Sequence, residues 1–125
     1  MGKISVFTQE DHEVIARDFA DLMEVSRKRC TSQEEVDIIQ KAFDFANEAH
    51  KGVRRRSGEP YILHPIAVAK IVVANIGLGY KSIVAALLHD VVEDTDYTVD
   101  DLRSLFGDKV ATLVEGLTKI KTVLD

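Results

Sequence analysis

The stretch Tyr80-Lys81-Ser82-Ile83-Val84-Ala85-Ala86-Leu87-Leu88-His89-Asp90-Val91-Val92-Glu93-Asp94-Thr95 decides how this chain is read. From Ile83 to Leu88 it is apolar without a break, and an imidazole and a carboxylate follow at once. A helix that is apolar nearly all round has no face to give to solvent, so it has to be packed on several sides as the central helix of a bundle. His89 and Asp90 then stand at the end of a buried element, where polar groups are costly unless paired or bound to a cation. At about 100° per residue, His89, Asp90, Glu93 and Asp94 fall within an arc of roughly 140° if the helix runs through them. Two ligand-type side chains and two further carboxylates would face one volume.

Outward from this stretch the same periodicity recurs. Ile15, Phe19, Leu22 and Met23 form one stripe, Val36, Ile39, Phe43 and Ala46 a second, and Val110, Leu113, Val114 and Leu117 a third. Hydroxyl residues three positions ahead of a carboxylate mark helix starts: Thr8 with Asp11, Thr31 with Glu34, Thr98 with Asp101. Ile71, Val72, Val73 and Ile76 are β-branched and would suit a buried strand, but segment length and capping favour helix. Pro65 fits a first helical turn, making His64 the expected N-cap, and Gly77 and Gly79 are expected to end that helix and turn the chain. These signals predict helices at roughly 8–28, 32–50, 65–76, 80–92, 98–106 and 108–122, an all-α bundle with no period-two strands. Residues 51–63, with Gly52, Gly58 and Pro60, form a loop, a common place for ligand contacts on a helical scaffold.

A chain of 125 residues with net charge −5 is one domain or a piece of one. Its apolar runs are interrupted or too short for the about 20 residues a membrane helix needs. The start, Met1-Gly2-Lys3-Ile4-Ser5-Val6-Phe7, lacks the apolar region of a secretory signal, and Cys30 is the sole cysteine, so a reducing, cytoplasmic setting is expected. Net acidity argues against general nucleic-acid binding. Charge is nevertheless segregated: Lys51, Arg54, Arg55 and Arg56 make a basic cluster, and Asp90, Glu93, Asp94, Asp96, Asp100 and Asp101 an acidic one. A cationic patch near metal-binding carboxylates suits a small polyphosphate, although a solvated basic loop has the same composition.

A lone histidine on an apolar helix is more often a hydrogen-bonded core residue than a ligand. Asp90 beside His89, and His64 pinned by Pro65 on another element, shift that balance toward a metal. Imidazole and carboxylate donors without thiolates suit Mn²⁺, Fe²⁺, Co²⁺ or Zn²⁺, with a structural zinc site the poorest match. Glu93 and Asp94 can accept a proton from water attacking phosphorus, and as carboxylates at a helix C-terminus they oppose its dipole, a cost that asks for a function. His50 is read equally as a core histidine bonded to the loop or as a group behind the site. His12 is read as a surface residue, and Thr118 and Lys119 as parts of a solvated helical face.

The segments Ala49-His50-Lys51-Gly52, Arg56-Ser57-Gly58-Glu59-Pro60-Tyr61-Ile62-Leu63-His64-Pro65, Leu87 to Thr95, Phe106-Gly107 and Glu115-Gly116-Leu117-Thr118-Lys119 together resemble the N-terminal hydrolase region of the Rel/SpoT family, in order and with matching spacing. The resemblance covers nearly everything from about residue 32 onward, leaving residues 1–31 as an N-terminal helix and linker ahead of a motif-bearing core at 32–125. It implies an HD-domain helical bundle and Mn²⁺-dependent removal of the 3′-pyrophosphate from guanosine tetra- and pentaphosphate, (p)ppGpp, in the stringent response. It further implies that His64, His89 and Asp90 are metal ligands, that Glu93 and Asp94 assist hydrolysis, and that Arg55 stacks on guanine with Arg56 and Ser57 nearby. An arginine plane over a purine is sound chemistry, since the cation is delocalised and weakly hydrated. Both the His-Asp and the Glu-Asp pairs are intact, as in the hydrolase-competent branch.

One element of the family pattern is missing. The fourth metal ligand, an aspartate in a Leu-Ala-Asp-Arg-Leu-His-Asn-like motif, is expected downstream of residue 125, and the stripe through Ile120 and Leu124 continues without a glycine stop. The expectation is therefore a bundle incomplete at its C-terminus, weak or inactive alone, prone to self-association, whose parent has room for synthetase and regulatory domains. Two other readings stay open: an HD phosphohydrolase of another nucleotide, and a non-catalytic module that binds nucleotide through Arg55.

Overall fold

The computed structural model describes residues 6–76 and 79–124, with the side chains of residues 75, 76 and 120–124 outside that description. Its elements are α1 (Gln9–Arg27), α2 (Gln33–Ala49), α3 (Leu63–Ile71) with a π-helical turn at Val72–Ile76, α4 (Tyr80–Asp94), α5 (Val99–Phe106) and α6 (Asp108–Leu124). The described residues contain no β-strand; an isolated antiparallel bridge joins Arg54 to Pro60. The all-α expectation holds.

Helix α4 is the centre. It packs against α2, α3 and α6, while α1 lies on α3 and α2, and α5 on α6. Every residue from Ile83 through Val91 is buried, including His89 and Asp90. Each large aliphatic side chain taken from water contributes on the order of 1.5–3 kcal/mol, so this run is the main apolar anchor of the bundle. Phe19 of α1 stacks on Phe43 of α2 with centroids 3.8 Å apart, which locks the first two helices together.

The helix starts obey local chemistry, with two corrections. Capping boxes form at Thr8 with Asp11 and at Thr98 with Asp101, as their spacing predicts. The second helix is capped by Ser32, whose hydroxyl accepts from the Glu35 N–H; Thr31 instead donates its hydroxyl to the Glu35 carboxylate at 2.6 Å. Two adjacent hydroxyls compete there, and the carboxylate that decides the matter is Glu35, not Glu34. The third helix begins at Leu63, so His64 lies in its first turn and not at the N-cap. The preceding loop supplies the acceptors: Leu63 N–H reaches Pro60 O at 3.2 Å and His64 N–H reaches Tyr61 O at 2.9 Å, so no capping side chain is needed.

That helix keeps α geometry only to Ile71 before widening into the π turn. Gly77, expected to end it, lies outside the described residues, and Gly79 serves as the extended N-cap of α4. The stripe positions Ile120 and Leu124 carry side chains beyond the description, as does Asp125 as a whole. No helix among the described residues is long and apolar enough to cross a membrane.

Candidate metal centre and active site

The segment between α2 and α3 is a small hairpin-like loop. His50 caps α2, Gly52 turns with φ 76°, and Tyr61 N–H returns to Val53 O at 2.8 Å. Its tip is closed by Arg55 N–H to Glu59 O at 2.9 Å and Gly58 N–H to Arg55 O at 2.8 Å, with Gly58 at φ 101°, a conformation that strains any residue with a Cβ. Buried Val53 and Ile62 hold the base of this loop in the core. The loop therefore has a fixed foot and an exposed tip.

At its foot the metal-type residues meet. His64 Nε2 lies 3.7 Å from Asp90 Oδ2, and His89 Nε2 lies 3.3 Å from Asp90 Oδ1. One ligand atom from each of the three falls within 4.8 Å of the others, an arrangement that could hold a metal ion. Asp90 has no solvent exposure and His89 is buried, while His64 is about one-third exposed at 33%, so the group opens to solvent on the α3 side. The three residues singled out from the sequence are thus together, delivered by α3 and the end of α4.

The chemistry of these donors fits a cation. His89 Nδ1 sits 2.6 Å from Ala86 O, an acceptor, so that nitrogen carries the hydrogen and donates it. In the neutral ring Nε2 then presents its lone pair toward an Asp90 oxygen. Lone pair against carboxylate is repulsive unless something positive lies between them, and a buried carboxylate sharpens that demand. A carbonyl fixing the far nitrogen is also the usual outer support of a histidine ligand.

Two side chains that sequence reasoning did not assign complete the setting. Tyr61 donates its hydroxyl to Asp90 Oδ2 at 3.2 Å, giving the carboxylate a third partner. Its ring stacks on His50 at 5.1 Å and stands 5.8 Å from His64, which in turn is 6.3 Å from His89. The signal for Tyr61 was its place three residues ahead of His64, one helical turn away. His50, left between two readings, is 1% exposed; it contacts Ala46 O through Nδ1 at 3.1 Å and Asp94 Oδ2 through Nε2 at 3.4 Å. It is both a bonded core histidine and a partner of a candidate catalytic carboxylate.

Helix α4 runs through Asp94 and stops at Thr95, whose N–H and hydroxyl both return to Val91 O at 3.0 and 2.6 Å. Glu93 is exposed and Asp94 half-buried on this last turn. Arg55, Arg56 and Ser57 all lie on the exposed tip, where Glu59 takes the Ser57 hydroxyl at 2.8 Å and pairs with Arg55 at 3.9 Å. Arg54 leaves the basic cluster altogether. Its guanidinium bonds Asp11 Oδ2 at 2.6 Å, Val6 O at 3.1 Å and Gly58 O at 2.9 Å, tying the loop to the start of α1. That contact, with the Thr8 N–H, holds the Asp11 carboxyl down at about 2. Neighbouring side chains of the extended segment point opposite ways, so Arg54 turns inward and Arg55 outward.

The acidic cluster is divided in the same manner. Asp101 closes the cap of α5, Asp100 pairs with Arg103, and Asp90 is buried. His12 is exposed beside Phe7, and Lys119 pairs with Glu115 at 3.8 Å on a solvated face.

Comparison with known proteins matches a family model described as "HD domain" over residues 42–124. Among curated relatives, a guanosine-3′,5′-bis(diphosphate) 3′-pyrophosphohydrolase of Aquifex aeolicus is 51% identical over 66% of this chain and 12% of its own length. The bifunctional (p)ppGpp synthase/hydrolase SpoT of Escherichia coli K12 is 49% identical over 70% of this chain and 12% of its length. A probable GTP pyrophosphokinase of Mycobacterium leprae is 51% identical over 71% and 11%. The chain thus spans about an eighth of the length of these relatives, within the region resembling the Rel/SpoT hydrolases. With an all-α bundle, a His-Asp pair at the end of its central helix and a family match across more than half its length, this chain belongs to the HD domain family.

Proposed function

We propose that the intact protein removes the 3′-pyrophosphate from guanosine 3′,5′-bis(diphosphate) and its pentaphosphate counterpart, using Mn²⁺ held by His64, His89 and Asp90. The observation that carries this reading is the convergence of those three side chains within 4.8 Å, with His89 locked in the ligand-ready tautomer by Ala86 O. Relatives named for this reaction share about half their residues with the chain across the same region. A divalent cation in such a site offsets charge on phosphate oxygens and acidifies water.

The chain's own side chains supply the rest. Glu93, exposed on the last turn of α4, takes the proton of the attacking water at its carboxylate. Asp94, anchored through Oδ2, orients that water, and the proton taken up from it is returned to the ribose 3′ oxygen as the bond from phosphorus to that oxygen breaks. Arg55, Arg56 and Ser57 bind the purine and phosphates from the loop tip. Tyr61 keeps Asp90 in place from behind. The two arginines exchange their exposed setting for a bidentate phosphate or a stacked base without burying an unpaired charge.

The reading is tested by offering the full-length protein ppGpp, GTP and a cyclic dinucleotide, with Mn²⁺ and then with chelator. Pyrophosphate and GDP from ppGpp, abolished by chelation, is the expected result. Turnover of another nucleotide but not ppGpp makes this an HD phosphohydrolase of a different substrate, and tight ppGpp binding without turnover makes it a regulatory module.

A further inference from the structure

We infer that His50 is a positioning residue for Asp94: it aims a catalytic carboxylate from behind while touching neither substrate nor metal. The inference deepens the proposed hydrolase reading and rests on it. Three observations converge on this residue. The ring is 1% exposed, so it is unavailable to a ligand. Both nitrogens face acceptors, Nδ1 3.1 Å from Ala46 O and Nε2 3.4 Å from Asp94 Oδ2; the neutral ring has one N–H, so it donates to Asp94 in the Nε2–H tautomer and to both oxygens only when it carries both hydrogens. Its face is covered by Tyr61, whose hydroxyl holds Asp90.

The stacked His50–Tyr61 pair therefore ties together two carboxylates one turn apart on α4. One of them holds metal in the proposed reaction, and the other moves protons. Asp94 needs such a partner. It stands in the last turn of a helix, where the dipole disfavours a carboxylate and the backbone frays, and Thr95 fixes only the main chain there. Without His50 its side chain would be free to swing into solvent. With it, one Asp94 oxygen is bound at 3.4 Å and the other is left for chemistry. The contact joins residues 44 positions apart, linking the end of α2 to the end of α4.

Two substitutions separate this role from simple capping of α2. His50→Asn places an amide near Nδ1 and keeps a donor for Ala46 O, but cannot reach Asp94. His50→Gln places its amide near Nε2 and can. In the full-length Mn²⁺-loaded protein, His50→Asn is expected to lower kcat on ppGpp by about 10- to 100-fold, the usual cost of losing an outer partner. KM and Mn²⁺ affinity by calorimetric titration should stay within about 2-fold, and His50→Gln should recover most of kcat. In an Asp94→Asn background His50→Asn should cost nothing more, because the group it aims is already lost. An unchanged kcat in His50→Asn, or an equal further loss in the Asp94→Asn background, overturns the proposal.

The urea-unfolding double-mutant cycle between His50→Asn and Asp94→Asn reads the same link without turnover. Coupled midpoints support it, and additive midpoints overturn it. A wild-type protein inert toward ppGpp overturns the hydrolase reading instead, and the unfolding cycle then decides the His50–Asp94 link by itself.

Discussion

At Asp90 a carboxylate with no solvent exposure takes the Tyr61 hydroxyl at 3.2 Å and faces two imidazole nitrogens. Removing the hydroxyl leaves the carboxylate looser while keeping the ring stacked on His50. Tyr61→Phe is accordingly predicted to weaken Mn²⁺ binding by about 10-fold or more, read by calorimetric titration; an unchanged affinity would remove Tyr61 from the site. A second prediction concerns Asp11, whose carboxyl is held at about 2 against an ordinary 3.8, first by Arg54 and then by the Thr8 N–H. A depressed folded-state value favours folding above the unfolded one, so this contribution is complete above about pH 4 and is lost as pH falls toward about 2. Asp11→Asn should flatten that part of the acid-unfolding curve, and an unaltered curve would mean the pair is too solvated to matter. His64, His89 and Asp90 were legible because an apolar run ending in His-Asp needs an explanation. Tyr61 was not, and His50 was left between two readings, because their roles depend on a stack and a contact across 44 residues that no local pattern encodes.

Helix α4 shows how far an element can be read from its own residues. Its apolar circumference predicted a central position, and burial from Ile83 through Val91 is the result. Leu88, fully buried on a helix packed against three others, should cost about 2–5 kcal/mol when cut to alanine in urea unfolding, the range for a cavity that its surroundings only partly close. A loss under 1 kcal/mol, the scale of a tolerated isosteric swap, would mean α4 is not central. The helix ends divide according to which groups supply the cap. Thr98 with Asp101 was legible and forms a reciprocal box, so Thr98→Ala should cost about 1 kcal/mol. The Ser32 cap was missed because Thr31 beside it carries the same chemistry, and only the reach of Glu35 discriminates them. The start of α3 was placed late because loop carbonyls, not a side chain, receive its first N–H groups.

For the molecule as a whole, six described helices around one apolar core bring a loop tip rich in arginine and a buried His-Asp group onto neighbouring elements. The fold was legible because helical stripes in α1, α2 and α6 agree with the capping signals and with the apolar circumference of α4, whereas the division of the charged clusters depended on tertiary pairing. If the trio holds a cation, metal must stabilise the bundle by mass action, adding about 2.7 kcal/mol at a hundredfold excess over Kd. That gain should appear as a Mn²⁺-dependent rise in Tm and vanish in Asp90→Ala. The central claim, that this buried group is the metal site of an alarmone pyrophosphohydrolase, is tested most directly by pyrophosphate release from ppGpp with Mn²⁺. The comparison is full-length wild type against Asp90→Ala and Glu93→Ala. The account predicts release by the wild type, reduced at least about a hundredfold in both variants; equal rates in all three would contradict it.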